Sequence, residues 1–130
     1  MEYSNQCRYT KEHEWIKIEG ETGSIGITDF AQHYLGDILS VELPESGAEV
    51  LAGQPFGSVE SAKSVSEVCA PMSGTVIGSN DELKKEPGKI NQDANQAWMI
   101  KVRLTNPGEV SGLLSLGEYE EFMKQEEEGH

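Results

Sequence analysis

The stretch Gly57-Ser-Val-Glu-Ser-Ala-Lys-Ser-Val-Ser-Glu-Val68 sets a single lysine, Lys63, between two short alternating segments. Val59 and Val65 stand just outside the tetrapeptide Glu60-Ser61-Ala62-Lys63, as paired strands leading into a tight turn would place them. Small residues flank the lysine at Ser61, Ala62 and Ser64, and a carboxylate lies to either side at Glu60 and Glu67. The pattern predicts a hairpin over about 55–70 with Lys63 at its tip, the amine in water with no wall around it.

Outward from this hairpin, the chain reads as short strands broken by glycine and proline. His13 to Glu19 and Gly23 to Ile27 are expected strands. In Asp37 to Leu43, Leu39, Val41 and Leu43 alternate with Ile38, Ser40 and Glu42. Gly74 to Ile77 is a short β-branched segment, faintly similar to Ser24-Ile-Gly-Ile27, too weakly for a repeat to be built on it. Ala97 to Leu104 places Trp98, Ile100, Val102 and Leu104 on one face, with Met99, Lys101 and Arg103 opposite. Turn signals this frequent predict a mainly β sandwich or flattened barrel.

Helices are few. Thr28 can cap a short helix running to Tyr34, and Gly36 can end it. Asn80 to Leu83 suits one turn. Ser115 and Glu118 have capping-box spacing, and Tyr119, Phe122 and Met123 then form an apolar stripe, so a C-terminal helix over about 115–125 should pack on the sheet. Gln125 to His130 reads as a solvated tail.

The 130 residues suffice for one domain, 1–130, with a core that needs neither disulfide nor metal. A formal charge of −13 argues against nucleic acid or anionic membrane as partners and suits enzymes with basic docking surfaces. A merely solvated acidic surface explains the charge equally well. Cys7 and Cys69 follow no metal or redox spacing. The histidines are scattered, and no glycine-rich phosphate loop opens a helix. No basic, apolar or Arg-rich leader opens the chain and no apolar run is long enough to span a bilayer, so a cytoplasmic protein is expected.

Three readings compete for Lys63. A Schiff-base nucleophile would need an amine desolvated or set beside a cation, whereas its neighbours are small residues and carboxylates. An ordinary surface lysine on a hairpin is the second reading. The third is a lysine acylated and carried about by others.

A resemblance bears on this choice. Glu60-Ser-Ala-Lys63, within a frame running from Val59 to Ala70-Pro71-Met-Ser-Gly74, is similar to the lipoyl-attachment hairpin of the glycine cleavage system H protein family. Tyr9-Thr-Lys-Glu-His-Glu-Trp15, Gly26-Ile-Thr-Asp-Phe-Ala-Gln32, Leu35-Gly36-Asp37, Val41-Glu-Leu-Pro44, Asn91 followed by Trp98, and Glu118-Tyr119 fit the family order over nearly the whole chain. The resemblance implies a lipoyl/biotinyl-type flattened barrel and a non-enzymatic shuttle with lipoate joined to Lys63 as an amide. It implies loading by a pyridoxal-phosphate glycine decarboxylase, unloading by a tetrahydrofolate-dependent aminomethyltransferase, reoxidation by dihydrolipoyl dehydrogenase, and prior modification by a lipoate ligase or lipoyl/octanoyl transferase that reads Glu60. A monomer is expected. The arm is expected to fold back into a cleft holding Glu12, Glu14, Tyr34 and Glu67. Glu12 stands where relatives often carry a small polar residue. Tyr34 stands where some carry histidine, and His33, roughly 100° round the helix, cannot substitute for it. Ala62, Ser64 and Ala97 also depart from the usual residues.

Three rivals remain: a relay that supplies lipoate to 2-oxoacid dehydrogenase complexes, a biotinyl carrier, and an unmodified adaptor. Biotinyl carriers normally bear methionine on both sides of the lysine, unlike Ala62 and Ser64.

Overall fold

The computed structural model describes residues 3–128. Nine strands form two antiparallel sheets. The larger has the order β1 (Cys7–Tyr9), β2 (Glu14–Glu19), β3 (Thr22–Ile27), β9 (Ile100–Leu104), β8 (Gly74–Ser79), β5 (Glu49–Val50). The smaller sets β6 (Pro55–Ser61) between β4 (Ile38–Glu42) and β7 (Val65–Cys69). The inward residues Ile16, Ile25, Ile100 and Val102 of the first meet Val41, Val59 and Val68 of the second in one continuous core. The chain is thus a flattened β-sandwich, mainly β, trimmed by short helices.

The helix α1 (Asp29–Leu35) forms where its sequence signals lie. Thr28 Oγ1 accepts from Ala31 N–H, and Gly36, at φ 78, ends it by donating its N–H to the Gln32 carbonyl. Two short helices, α2 (Glu82–Lys85) and α3 (Lys89–Asp93), follow β8. At α4 (Leu116–Glu128) the capping box is reciprocal: Ser115 N–H donates to Glu118 Oε1 at 2.9 Å, and Glu118 N–H to Ser115 Oγ at 3.3 Å. The stripe of α4 packs on the larger sheet, where Tyr119, fully buried, stacks on Tyr9 with ring centres 4.7 Å apart.

Four expectations need correction. His13 is not a strand residue: its φ of 68° turns the chain before β2 begins at Glu14. The alternation expected in β4 is interrupted by a bulge between Ile38 and Ser40, which sends Ile38 and Val41 into the core and leaves Leu39 exposed. β9 begins only at Ile100; Met99 is fully buried, and Trp98 joins the aromatic cluster around Tyr9 and Tyr119 instead of sharing a face with Ile100. The acidic end is not a loose tail, for α4 runs on to Glu128 and Glu126 is engaged by His13; Gly129 and His130 lie outside the described residues. The strands β1 and β5, the helix α3 and a 3-10 turn at Pro107–Gly112 carry too few residues for a periodic signal.

Candidate functional site

The β6–β7 hairpin closes with Ser61 N–H donating to the Ser64 carbonyl at 2.8 Å. The Ser61 hydroxyl, buried beneath the turn, donates to the same carbonyl and accepts from the amides of Lys63 and Ser64, each at 3.2 Å. A two-residue loop, Ala62-Lys63, is left at the tip. The tip is also tied sideways: Ala62 N–H donates to the Asp37 carbonyl at 3.2 Å. Asn91 of α3 holds that same segment, giving its amide hydrogens to the Gly36 carbonyl (2.8 Å) and Gln32 Oε1 (2.9 Å) while accepting from Ile38 N–H (2.8 Å).

Lys63 is exposed, and among the described residues no carboxylate pairs with its Nζ. One side of it does have a wall, contrary to the sequence expectation. Its stem lies over Gly36, where a Cβ would stand 3.6 Å from Lys63 Cε. Its stem therefore lies against the residue that follows Tyr34 and Leu35 in the chain.

Those two residues open a cleft of about 510 Å³ between α1, the hairpin strands and the end of α4. Its apolar walls are Ile27, Phe30, Ala31, Leu35, Val59 and Val68. Its polar lining comprises Glu12, His13, Glu14, Tyr34, Ser66, Glu67 and Glu126, with no lysine or arginine among them. All four carboxylate and tyrosine positions expected to share a cleft (Glu12, Glu14, Tyr34 and Glu67) line this one space. His33 lies outside it, exposed on a separate hollow beside Tyr3 and Lys124. Glu60 is also outside, exposed on the hairpin, with Ser40 Oγ donating to its Oε1 at 3.0 Å.

Glu14 is the buried member, only 3% exposed. Thr10 Oγ1 donates to its Oε1 at 2.7 Å and Cys69 N–H to its Oε2 at 3.0 Å. Burial pushes its carboxyl above the usual range despite these two bonds, with the Glu12 charge adding to the rise. Glu12 and Glu67 are exposed at the rim, as is Tyr34, whose ring centre lies 4.9 Å from that of Phe30.

His13, Phe30 and Glu126 are site residues that the sequence did not disclose. The His13 ring stacks on Phe30 at 4.4 Å. Its Nε2 lies 3.0 Å from Glu126 Oε2, and its Nδ1 lies 2.8 Å from the Tyr119 hydroxyl, which is itself 2.7 Å from Thr28 Oγ1. A carboxylate only accepts, so Nε2 carries the proton in the contact to Glu126, while Nδ1 and the Tyr119 hydroxyl share one hydrogen bond. Burial raises the Tyr119 hydroxyl far above the ordinary tyrosine range. This chain of contacts fastens the end of α4 to the start of α1, one on each side of the cleft. Because Glu126 sits 113 positions from His13, no local pattern announces the pair.

Family comparison rests on the whole chain. A model described as glycine cleavage H-protein matches residues 7–126. The chain belongs to the glycine cleavage H-protein family. It is 55% identical over 130 residues to the glycine cleavage system H protein of Koribacter versatilis, covering all of both chains. With the protein of that name from Geobacillus kaustophilus it shares 51% over 126 residues, 96% of this chain and 99% of the other. A crystal structure of a glycine cleavage system H protein from Mycobacterium marinum superposes with a TM-score of 0.82 at 37% identity, covering 95% and 98% of the two chains.

As an H-protein, the chain carries a hairpin-tip lysine with no carboxylate partner among the described residues, and a largely apolar cleft with acidic lining that includes residues of the same hairpin. Among its described residues no group of three His, Cys, Asp or Glu side chains is placed to hold a metal, and Cys7 and Cys69 are both free thiols. No helix among them is long and apolar enough to cross a membrane.

Proposed function

We propose that residues 1–130 form one lipoyl-carrier domain, a non-enzymatic shuttle of the glycine cleavage system. It takes the aminomethyl group of glycine from the pyridoxal-phosphate glycine decarboxylase to the tetrahydrofolate-dependent aminomethyltransferase, and electrons to dihydrolipoyl dehydrogenase. The observation that carries this reading is a hairpin-tip Lys63, paired with no carboxylate among the described residues, whose stem lies against Gly36, the residue after Leu35 of a cleft walled by apolar side chains and lined by carboxylates without lysine or arginine. When bound as an amide on Lys63, lipoate supplies a disulfide that can be opened and re-formed. The residues fit such a group: among the described residues the lysine stands clear of ion pairs, and its stem lies against Gly36.

The cleft side chains have separable tasks. Phe30, Leu35, Val59 and Val68 exclude water from whatever the tether brings in. Glu14, held by Thr10 and Cys69, offers a fixed carboxylate to a cationic amine, and Glu12 and Glu67 add charge at the rim. Tyr34 offers a hydroxyl at the entrance. Tethering raises the effective concentration of the cargo at each enzyme without new contacts. The acidic surface suits a monomer working in the cytoplasm among enzymes with basic docking faces.

Intact mass after incubation with lipoate ligase, lipoate and ATP tests the first step. A gain of one lipoyl group, absent in Lys63→Arg, is the expected result. Reconstitution with glycine decarboxylase and aminomethyltransferase tests the second. A chain that is modified yet turns over no glycine would refute the shuttle.

A further inference from the structure

The outward face of the small sheet carries exposed residues on all three strands. Register sets Ser40, Glu60 and Val65 side by side across its three strands, with Glu42 opposite Ser58 in the next row. Val65 is 64% exposed, and Leu39, the extra residue of the β4 bulge, is 58% exposed. Neither β4, β6 nor β7 contains a lysine, arginine or histidine. The face is thus two exposed apolar side chains beside a carboxylate oriented by Ser40, all adjoining the Lys63 turn.

Resting on the carrier reading above, we infer that Leu39 and Val65, flanking Glu60, form the docking surface for the enzyme that acylates Lys63. In that step Lys63 Nζ forms an amide bond to the lipoyl carbonyl carbon of an acyl-adenylate. The bond from that carbon to the phosphate oxygen breaks, AMP leaves with the electron pair, and the ammonium gives up two protons to bases, one to free the nitrogen lone pair and one as the amide forms. Among the described residues no carboxylate is paired with Nζ to take a proton, so the enzyme must bring both base and donor to an exposed tip and grip the hairpin elsewhere. The inner face is closed against the core and cleft. The outer face remains, and its charge calls for a partner presenting a cation to Glu60 and apolar seats for Leu39 and Val65.

The test is the rate of lipoylation of the full chain by a purified lipoate ligase with lipoate and ATP, followed by intact mass at sub-saturating chain concentration. The double variant Leu39→Thr with Val65→Thr should be modified at least tenfold more slowly, with its Tm unchanged because both side chains are already in water. Leu51→Thr and Ile77→Thr, at exposed positions elsewhere, should react at the unaltered rate. Raising the salt concentration should slow the native chain more than Glu60→Gln. An undiminished rate in the double variant, or an equal loss in the Leu51 and Ile77 variants, overturns the docking surface. So does a double variant lipoylated normally but loaded poorly by glycine decarboxylase, which would assign the face to that enzyme. A native chain that gains no mass at all overturns the carrier reading together with it.

Discussion

Replacing Tyr119 by phenylalanine deletes one oxygen atom and leaves the stacked ring in place over Tyr9. That oxygen joins His13 Nδ1 at 2.8 Å to Thr28 Oγ1 at 2.7 Å, at a residue with no exposed surface. Two hydrogen bonds are lost, each worth about 1 kcal/mol net, and the fully buried Thr28 hydroxyl keeps only its Ala31 contact. Relief from burying a phenol offsets little, so a loss of about 2 kcal/mol is expected. With ~2.1 cal/mol/K per residue, unfolding this chain of 130 residues carries an entropy of about 270 cal/mol/K, which converts the loss to a Tm fall of about 7 °C. Calorimetry of the purified chain measures this directly, and the imidazole nitrogen shifts of His13 report whether Nδ1 has lost its hydrogen-bond partner. Combined with Thr28→Val, the two losses should be less than additive, because they share one bond. A fall below 2 °C, or imidazole signals that do not move, would refute the idea that this oxygen locks α4 against α1.

Other expectations follow from individual contacts. In Gly26→Ala the new Cβ would stand 2.7 Å from Trp15 Cζ2 and 2.9 Å from the Ala97 carbonyl. The indole must then move about 0.7 Å from carbonyls of Ile27 and Ala94 that share its N–H, and calorimetry should show a loss of about 1–3 kcal/mol. Glu14→Gln mimics the protonated acid. Because burial raises the folded-state pKa of Glu14, its stabilising contribution is complete below the unfolded value of 4.5 and is lost as pH rises through the raised value. Urea midpoints should therefore show the native chain losing ground to Glu14→Gln as pH rises; a native advantage that grows with pH contradicts the burial argument. Lys63→Arg should keep its Tm within about 2 °C, since the stem rests only on the exposed side of Gly36, while losing all lipoylation by mass.

What was legible in the sequence is what short range determines. The hairpin, the Thr28 and Gly36 ends of α1, and the Ser115–Glu118 box depend on residues within a few positions of one another, and each formed where its signal stood. The cleft positions Glu12, Glu14, Tyr34 and Glu67 were reached through resemblance, since no spacing connects them. The bulge at Leu39 escaped because period-two reading assumes an unbroken pleat. His13 and Glu126 escaped because their meaning lies in each other: one looked like a stray histidine before a strand, the other like part of a solvated acidic run. That run is also poorly suited to a helix C-terminus by its charge, and its contact with His13 helps to offset this.

Asn91 reaches three backbone or side-chain partners around Gly36, and Asp37 in turn takes the Ala62 amide. The root of the lysine is consequently a fixed pivot, and freedom starts only at the bonds beyond its Cα. On the proposed carrier reading, each excursion from cleft to enzyme and back would draw on torsions of the arm alone, with no loop to melt and re-form on every cycle. The time to change stations should be set by rotation about single bonds and by collision with the next enzyme, and backbone order at positions 61–64 should be the same in loaded and unloaded chains.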